Sequence, residues 1–98
     1  MILYQVFPTE RSITGCTFTP TLREARSIAR DCASEGETCT VSRLTIGPIS
    51  REIVARCLNN EGFAENQTEL ETYQPLYTGK EDEEKPYRVR ITRHETTA

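Results

Sequence analysis

The chain has no tryptophan, a single histidine and a single methionine among its 98 residues. One imidazole, His94, leaves little material for a Cys–His or Ser–His pair, which must be held at hydrogen-bond distance. The dinucleotide fingerprint G-x-G-x-x-G, the P-loop, G-x-S-x-G and H-E-x-x-H are all missing from the sequence. The carboxylates gather in one polar block and do not form a spaced pair, so the chain reads as a non-enzyme. No apolar run approaches the roughly 20 residues a membrane helix needs. Met1 leads into ILYQVF without a basic n-region or a small-residue cleavage site. The expectation is a cytoplasmic protein with no membrane association.

Cysteine is present but not in a metal pattern. Cys16, Cys32, Cys39 and Cys57 have 15, 6 and 17 residues between them. Structural zinc sites hold their ligands on paired short spacings, which this series lacks. Cys32 and Cys57 fall on apolar helix stripes, where a free thiol packs as a small hydrophobe. The expectation is four structural thiols, no metal and no cofactor. Cys32 and Cys39 are the pair that a bridge would join in an oxidising setting, and the sequence leaves that question open.

What is there is a single small domain, residues 1–98, with 36% hydrophobic and 28% charged residues. Its net charge of −3 is unevenly spread. Residues 1–60 balance at +1, residues 61–85 at −6, and residues 86–98 at +2. Bulk attraction to nucleic acid is disfavoured, while local basic patches remain available.

Ile2 to Phe7 is rich in β-formers, is closed by Pro8 and is apolar on both faces. Ile13 to Phe18 pairs back as a hairpin, with Gly15 at a bulge or bend. A helix then starts with Thr21 as N-cap and Glu24 completing a capping box, or two residues earlier with Thr19 as cap and Pro20 first. Leu22, Ala25, Ile28, Ala29, Cys32 and Ala33 make its buried stripe, and Gly36 ends it. Thr38 to Ile46 is a strand with Leu44 and Ile46 inward and Val41 on the side of Arg43. Ser50 caps a second helix to Leu58, whose Ile53, Val54, Cys57 and Leu58 face inward. Thr68 to Thr78 is extended but broken by Pro75, which suits an edge strand, a bulged strand or part loop. Tyr87 to Arg93 alternates cleanly, with Tyr87, Val89 and Ile91 inward, and residues 94–98 form a frayed tail. The order β(β)αβαββ predicts an α+β fold. Its mixed or mostly antiparallel sheet has four to five short strands, with two helices packed on one face.

Charge supplies the candidate binding residues. Arg23, Arg26 and Arg30 lie on one face of the first helix. Arg88 and Arg90 share the outer face of the last strand, where Arg43 joins them if its strand is adjacent. Such stripes hold phosphates or the acidic rim of a partner. The run Glu81, Asp82, Glu83 and Glu84, with Glu61, Glu65, Glu69 and Glu71 before it, is a solvated connection or a mimic of a phosphate backbone.

The segment T-L-R-E-A-R-S-I-A-R, a polar turn, and T-V-S-R-L-T-I resembles small accessory proteins of phages and prophages. In particular it is similar to compact type I-F anti-CRISPR proteins, which set an L-x-x-A-x-x-I-A helix before a V-x-R-x-x strand. The likeness covers Thr21 to Ile46. It implies a non-enzymatic inhibitor that binds a host CRISPR effector complex through charged surface residues. Edge strands on a small sheet leave both a monomer and a homodimer open. The alternative is a small nucleic-acid-binding or regulatory module that uses Arg43, Arg88 and Arg90 on a sheet face.

Overall fold

In the computed structural model, residues 1–8, 16–59, 61–79 and 86–94 are described. Five strands and two helices follow in the order β1 (Ile2–Pro8), β2 (Thr17–Thr19), α1 (Leu22–Ser34), β3 (Cys39–Thr45), α2 (Arg51–Leu58), β4 (Asn66–Tyr77) and β5 (Tyr87–Arg93). The strands form one sheet in the order β2-β1-β3-β4-β5, and every neighbouring pair is antiparallel. The α+β class and the order of elements are those the sequence predicts. No helix among the described residues is long and apolar enough to cross a membrane.

Local chemistry accounts for α1. The Thr21 hydroxyl accepts the Glu24 amide at 3.3 Å, so the later of the two starts is the one used. At the other end the Gly36 amide donates to the Ala33 carbonyl and the Glu37 amide to the Cys32 carbonyl. These are the two bonds of a Schellman turn, and Gly36 supplies the left-handed backbone it needs at φ +98°. Between the caps, Ala25, Ala29 and Ala33 are fully buried, and their small side chains seat the helix close to the sheet. They meet Val6, Cys39, Val41 and Tyr73, with Tyr4, Leu22, Ile28, Cys32 and Val89 packed around them. Burying side chains of the Val class contributes about 1.5–3 kcal/mol each.

The register shows which residues share that face. Val6 stands opposite Val41, Val41 opposite Glu71, and Tyr73 opposite Ile91. Val41 therefore belongs to the α1 side, and Leu44 and Ile46, also buried, belong to the reverse side. On the reverse side, side chains of α2 and of the segment after it reach the sheet at the Ile46 end of β3. There Leu3, Ile46, Ile53 and Phe63 line one apolar groove, and the Phe18 and Phe63 rings meet at 5.6 Å.

The two helices thus do not pack on one face, contrary to expectation. α2 is capped as predicted, with the Ser50 hydroxyl accepting the Ile53 amide. However, its Cα atoms stay more than 8 Å from every other helix and strand. Of its four expected inward residues only Ile53 is half-buried; Val54, Cys57 and Leu58 are exposed. A helix of eight residues set at the end of the sheet is too short to cover its face.

β4 is not an edge strand and runs unbroken through Pro75. Pairing of β3 with β4 ends at Cys39 opposite Tyr73. A proline two residues further on removes an N–H where β4 has already outrun its neighbour. The irregularity lies instead at Leu70, skipped where Val41 pairs with Glu71 and Ser42 with Glu69. His94 is not frayed either: its amide donates to the Leu70 carbonyl at 2.8 Å, and its Nε2 is 2.6 Å from the Thr72 hydroxyl. The bulge or bend expected at Gly15 and residues 95–98 of the expected tail lie outside the described residues.

Candidate functional site

The distinctive polar feature of the α1 face is a carboxylate inside it. Strand alternation carries Glu71 to the same side as Tyr73, and Glu71 is only 4% exposed. Both its oxygens are satisfied. Oε1 accepts the Arg26 Nε at 2.8 Å and lies 2.6 Å from Arg26 Nη2, while Oε2 accepts the Tyr73 hydroxyl at 2.7 Å. Among the described residues no buried side-chain nitrogen or oxygen lacks a partner.

The titration of these groups follows from the geometry. Burial alone pushes the Glu71 carboxyl up, but the hydrogen bonds from Tyr73 and Arg26 and the nearby guanidinium charges outweigh it, so the net shift is downward. The Tyr73 phenol, buried and bonded to an anion, is pushed up to about 12. Arg26 is held more firmly protonated by its bond to Glu71. Glu71 is therefore an ionised structural anchor at neutral pH, with one oxygen bonded to Arg26 and the other to Tyr73.

Around this anchor opens a cleft of about 260 Å³ lined by Tyr4, Leu22, Arg26, Arg43, Leu70, Glu71, Arg93 and His94. Three guanidiniums face one carboxylate there, and that carboxylate is already bonded. Arg43 and Arg93 are exposed and form no ion pair with another described residue. The cleft is shallow and cationic, suited to a carboxylate or phosphate carried on a larger body.

The expected site residues are thereby redistributed. Arg23, Arg26 and Arg30 are all exposed on α1 as foreseen, but the Arg26 guanidinium is engaged with Glu71. Arg43 does not join Arg88 and Arg90. Its register opposite Tyr4 puts it on the α1 side, while Arg88 opposite Leu76 and Arg90 opposite Gln74 fall on the reverse side. Glu71 leaves the solvated acidic group because its strand turns it inward. Glu81, Asp82, Glu83 and Glu84 lie outside the described residues.

From the sequence Glu71 is expected only in the solvated acidic group, and neither Tyr73 nor Arg93 is expected in a binding site. Two signals pointed to them: Glu71 and Tyr73 share a strand face two residues apart, and Arg93 extends the inward series Tyr87, Val89, Ile91 by one step. The four cysteines are free thiols: Cys16 and Cys57 exposed, Cys32 half-buried, Cys39 buried. Cys32 and Cys39 are near neighbours, and burial with that neighbour pushes the Cys39 thiol up to about 12. No group of three or more His, Cys, Asp or Glu among the described residues is placed to hold a metal ion.

No family model, curated protein or solved structure matches this chain.

Proposed function

We propose that this chain is a non-enzymatic binding protein that inhibits a larger partner by occupying an anionic patch on it, with Arg43 and Arg93 as the principal contacts. The observation that carries this reading is the cleft itself: Arg26, Arg43 and Arg93 line one opening whose only carboxylate among the described residues is already bonded. The likeness of Thr21–Ile46 to type I-F anti-CRISPR proteins makes a bacterial CRISPR effector complex, in the host cytoplasm, the first partner to try. Arg23 and Arg30 beside the cleft extend the same basic surface. In a pull-down against purified effector complexes with a parallel interference assay, the wild-type chain binds and blocks. Arg43→Glu with Arg93→Glu loses both effects while keeping the circular dichroism of the fold. Absence of binding to every effector complex tried would remove that partner, and an undiminished double variant would remove the cleft.

A direct nucleic-acid role has one observation in its favour. Arg88 and Arg90 stand together on the reverse face of β5, with no carboxylate opposite them in β4. Two phosphate contacts on duplex DNA give a log–log salt slope of only about −2. A gel shift steeper than that would favour this module over the inhibitor.

A further inference from the structure

β5 is the last strand of the sheet: one side is paired with β4, and no other strand among the described residues pairs with its outer side. The Thr78 amide donates to the Pro86 carbonyl and the His94 amide to the Leu70 carbonyl. In an antiparallel ladder the bonded residues alternate, so the even-numbered positions from 86 to 94 turn their backbone toward β4. Tyr87, Val89, Ile91 and Arg93 consequently turn their N–H and C=O groups outward, away from the sheet. This is a template for one more strand.

The side chains select what that strand is. β5 reads YRVRITR, with three arginines and no acid. Arg88 and Arg90 project from the reverse face beside Leu76 and Gln74, neither of which neutralises them. A second copy of β5 laid antiparallel on this edge and centred on Val89 would set Arg88 opposite Arg90, and like charges directly opposed are destabilising. A strand with carboxylates at every second position would instead set all of them on the face of Arg88 and Arg90. We infer that the outer edge of β5 captures an extended acidic peptide segment by strand addition, its alternate carboxylates meeting Arg88 and Arg90. The edge and the Arg43–Arg93 cleft are read by separate experiments, so either assignment can fail without the other.

The probe is a blocked octapeptide of four Thr-Glu repeats, titrated into the ¹⁵N-labelled full chain. Its control has four Pro-Glu repeats, with equal charge but proline nitrogens that cannot donate to a ladder. The Thr-Glu peptide binds at least tenfold more tightly, and the amides of Tyr87, Val89, Ile91 and Arg93 shift and exchange more slowly. Ile91→Pro removes one outward donor while leaving Arg90 and Thr92 bonded to β4, and it weakens binding about tenfold. If that variant loses its dispersed spectrum, Arg88→Glu with Arg90→Glu serves instead, reversing the preference toward a Thr-Lys peptide. Equal affinity for the two acidic peptides would reduce the site to bulk charge and overturn the inference. Binding of neither at millimolar concentration, protection at a different strand, tighter binding of an oligouridylate, or concentration-dependent pairing of β5 with itself would overturn it too.

Discussion

Arg26 and Glu71, 45 positions apart in the chain, share one carboxylate oxygen at 2.8 Å from Nε and 2.6 Å from Nη2, and the Tyr73 hydroxyl takes the other oxygen. The pair pins α1 to β4, which is bonded to β3 on one side and to β5 on the other. Glu71→Gln keeps the shape and removes the charge. The guanidinium left behind is partly solvated, so the cost falls below that of stranding a buried ion and is about 1–3 kcal/mol. Urea denaturation should show the midpoint lowered at an unchanged slope. A midpoint equal to wild type would mean that the contact is not formed in solution.

The same group makes stability depend on pH at both ends. Glu71 has a depressed folded pKa, so its contribution is present above the ordinary carboxylate value of about 4.3 and is lost as pH falls through the lower folded value. Tyr73 has a raised folded pKa, so its contribution is full below about 10 and is lost as pH climbs toward about 12. Thermal melts from pH 2 to 12 should lose stability on both sides, with the acid limb flattened in Glu71→Gln and the alkaline limb in Tyr73→Phe.

Gly36 joins two kinds of constraint. Its φ is +98°, and a Cβ built there would lie 3.0 Å from the Tyr87 ring. Gly36→Ala therefore meets backbone strain of about 1–2 kcal/mol and a ring that must move. A drop in melting temperature of several degrees is expected, since 1 kcal/mol shifts a domain this size by about 4–8 °C. In a Tyr87→Ala background the cost of Gly36→Ala should shrink to the backbone part alone.

The local signals of this chain were readable because they are local. Thr21, the apolar stripe and Gly36 define α1 within a few residues of each other, and the alternation of Tyr87, Val89 and Ile91 defines β5. The cleft was not readable, since it needs Arg26, Glu71 and Arg93 brought together from three elements, and that follows from strand order. Arg43 does not join Arg88 and Arg90 for the same reason: β4 stands between β3 and β5. A strand's period fixes which residues go together, but not which side the helix covers. α2 shows the reverse case: its amphipathic pattern is real, yet only Ile53 of its inward residues is half-buried, because no Cα of another element comes within 8 Å of the helix.

Thiol reactivity should rank by position. Cys16 and Cys57 are exposed, Cys32 is half-buried, and Cys39 is buried with its thiol pushed up to about 12. The thiolate is the reactive form, so Ellman's reagent at pH 8 should label two cysteines rapidly. Cys39 should react only as the domain unfolds, on the timescale of its unfolding rate. Cys39→Ser buries a hydroxyl among apolar neighbours and should cost about 1–3 kcal/mol. Cys16→Ser and Cys57→Ser should stay within about 0.5 kcal/mol of wild type. Rapid labelling of a third thiol in the native state, traced to Cys39 by mass spectrometry, would contradict the packing of β3 against α1.

Protection from hydrogen exchange should divide the two helices. α1 is held by caps at both ends, by three fully buried alanines and by the Arg26–Glu71 bond. α2 has its Ser50 cap, but no Cα within 8 Å of another element and no buried residue. Local opening follows contact density, and an isolated helix of eight residues is far too short to persist in water. Its amides should therefore exchange at least a hundredfold faster than those of α1, through local opening rather than global unfolding. Ser50→Ala should speed α2 exchange further and leave α1 unchanged. If α2 instead proves as protected as α1, its exposed Val54 and Leu58 must be covered in solution. Sedimentation of the same sample at two concentrations would then show whether a second copy covers them.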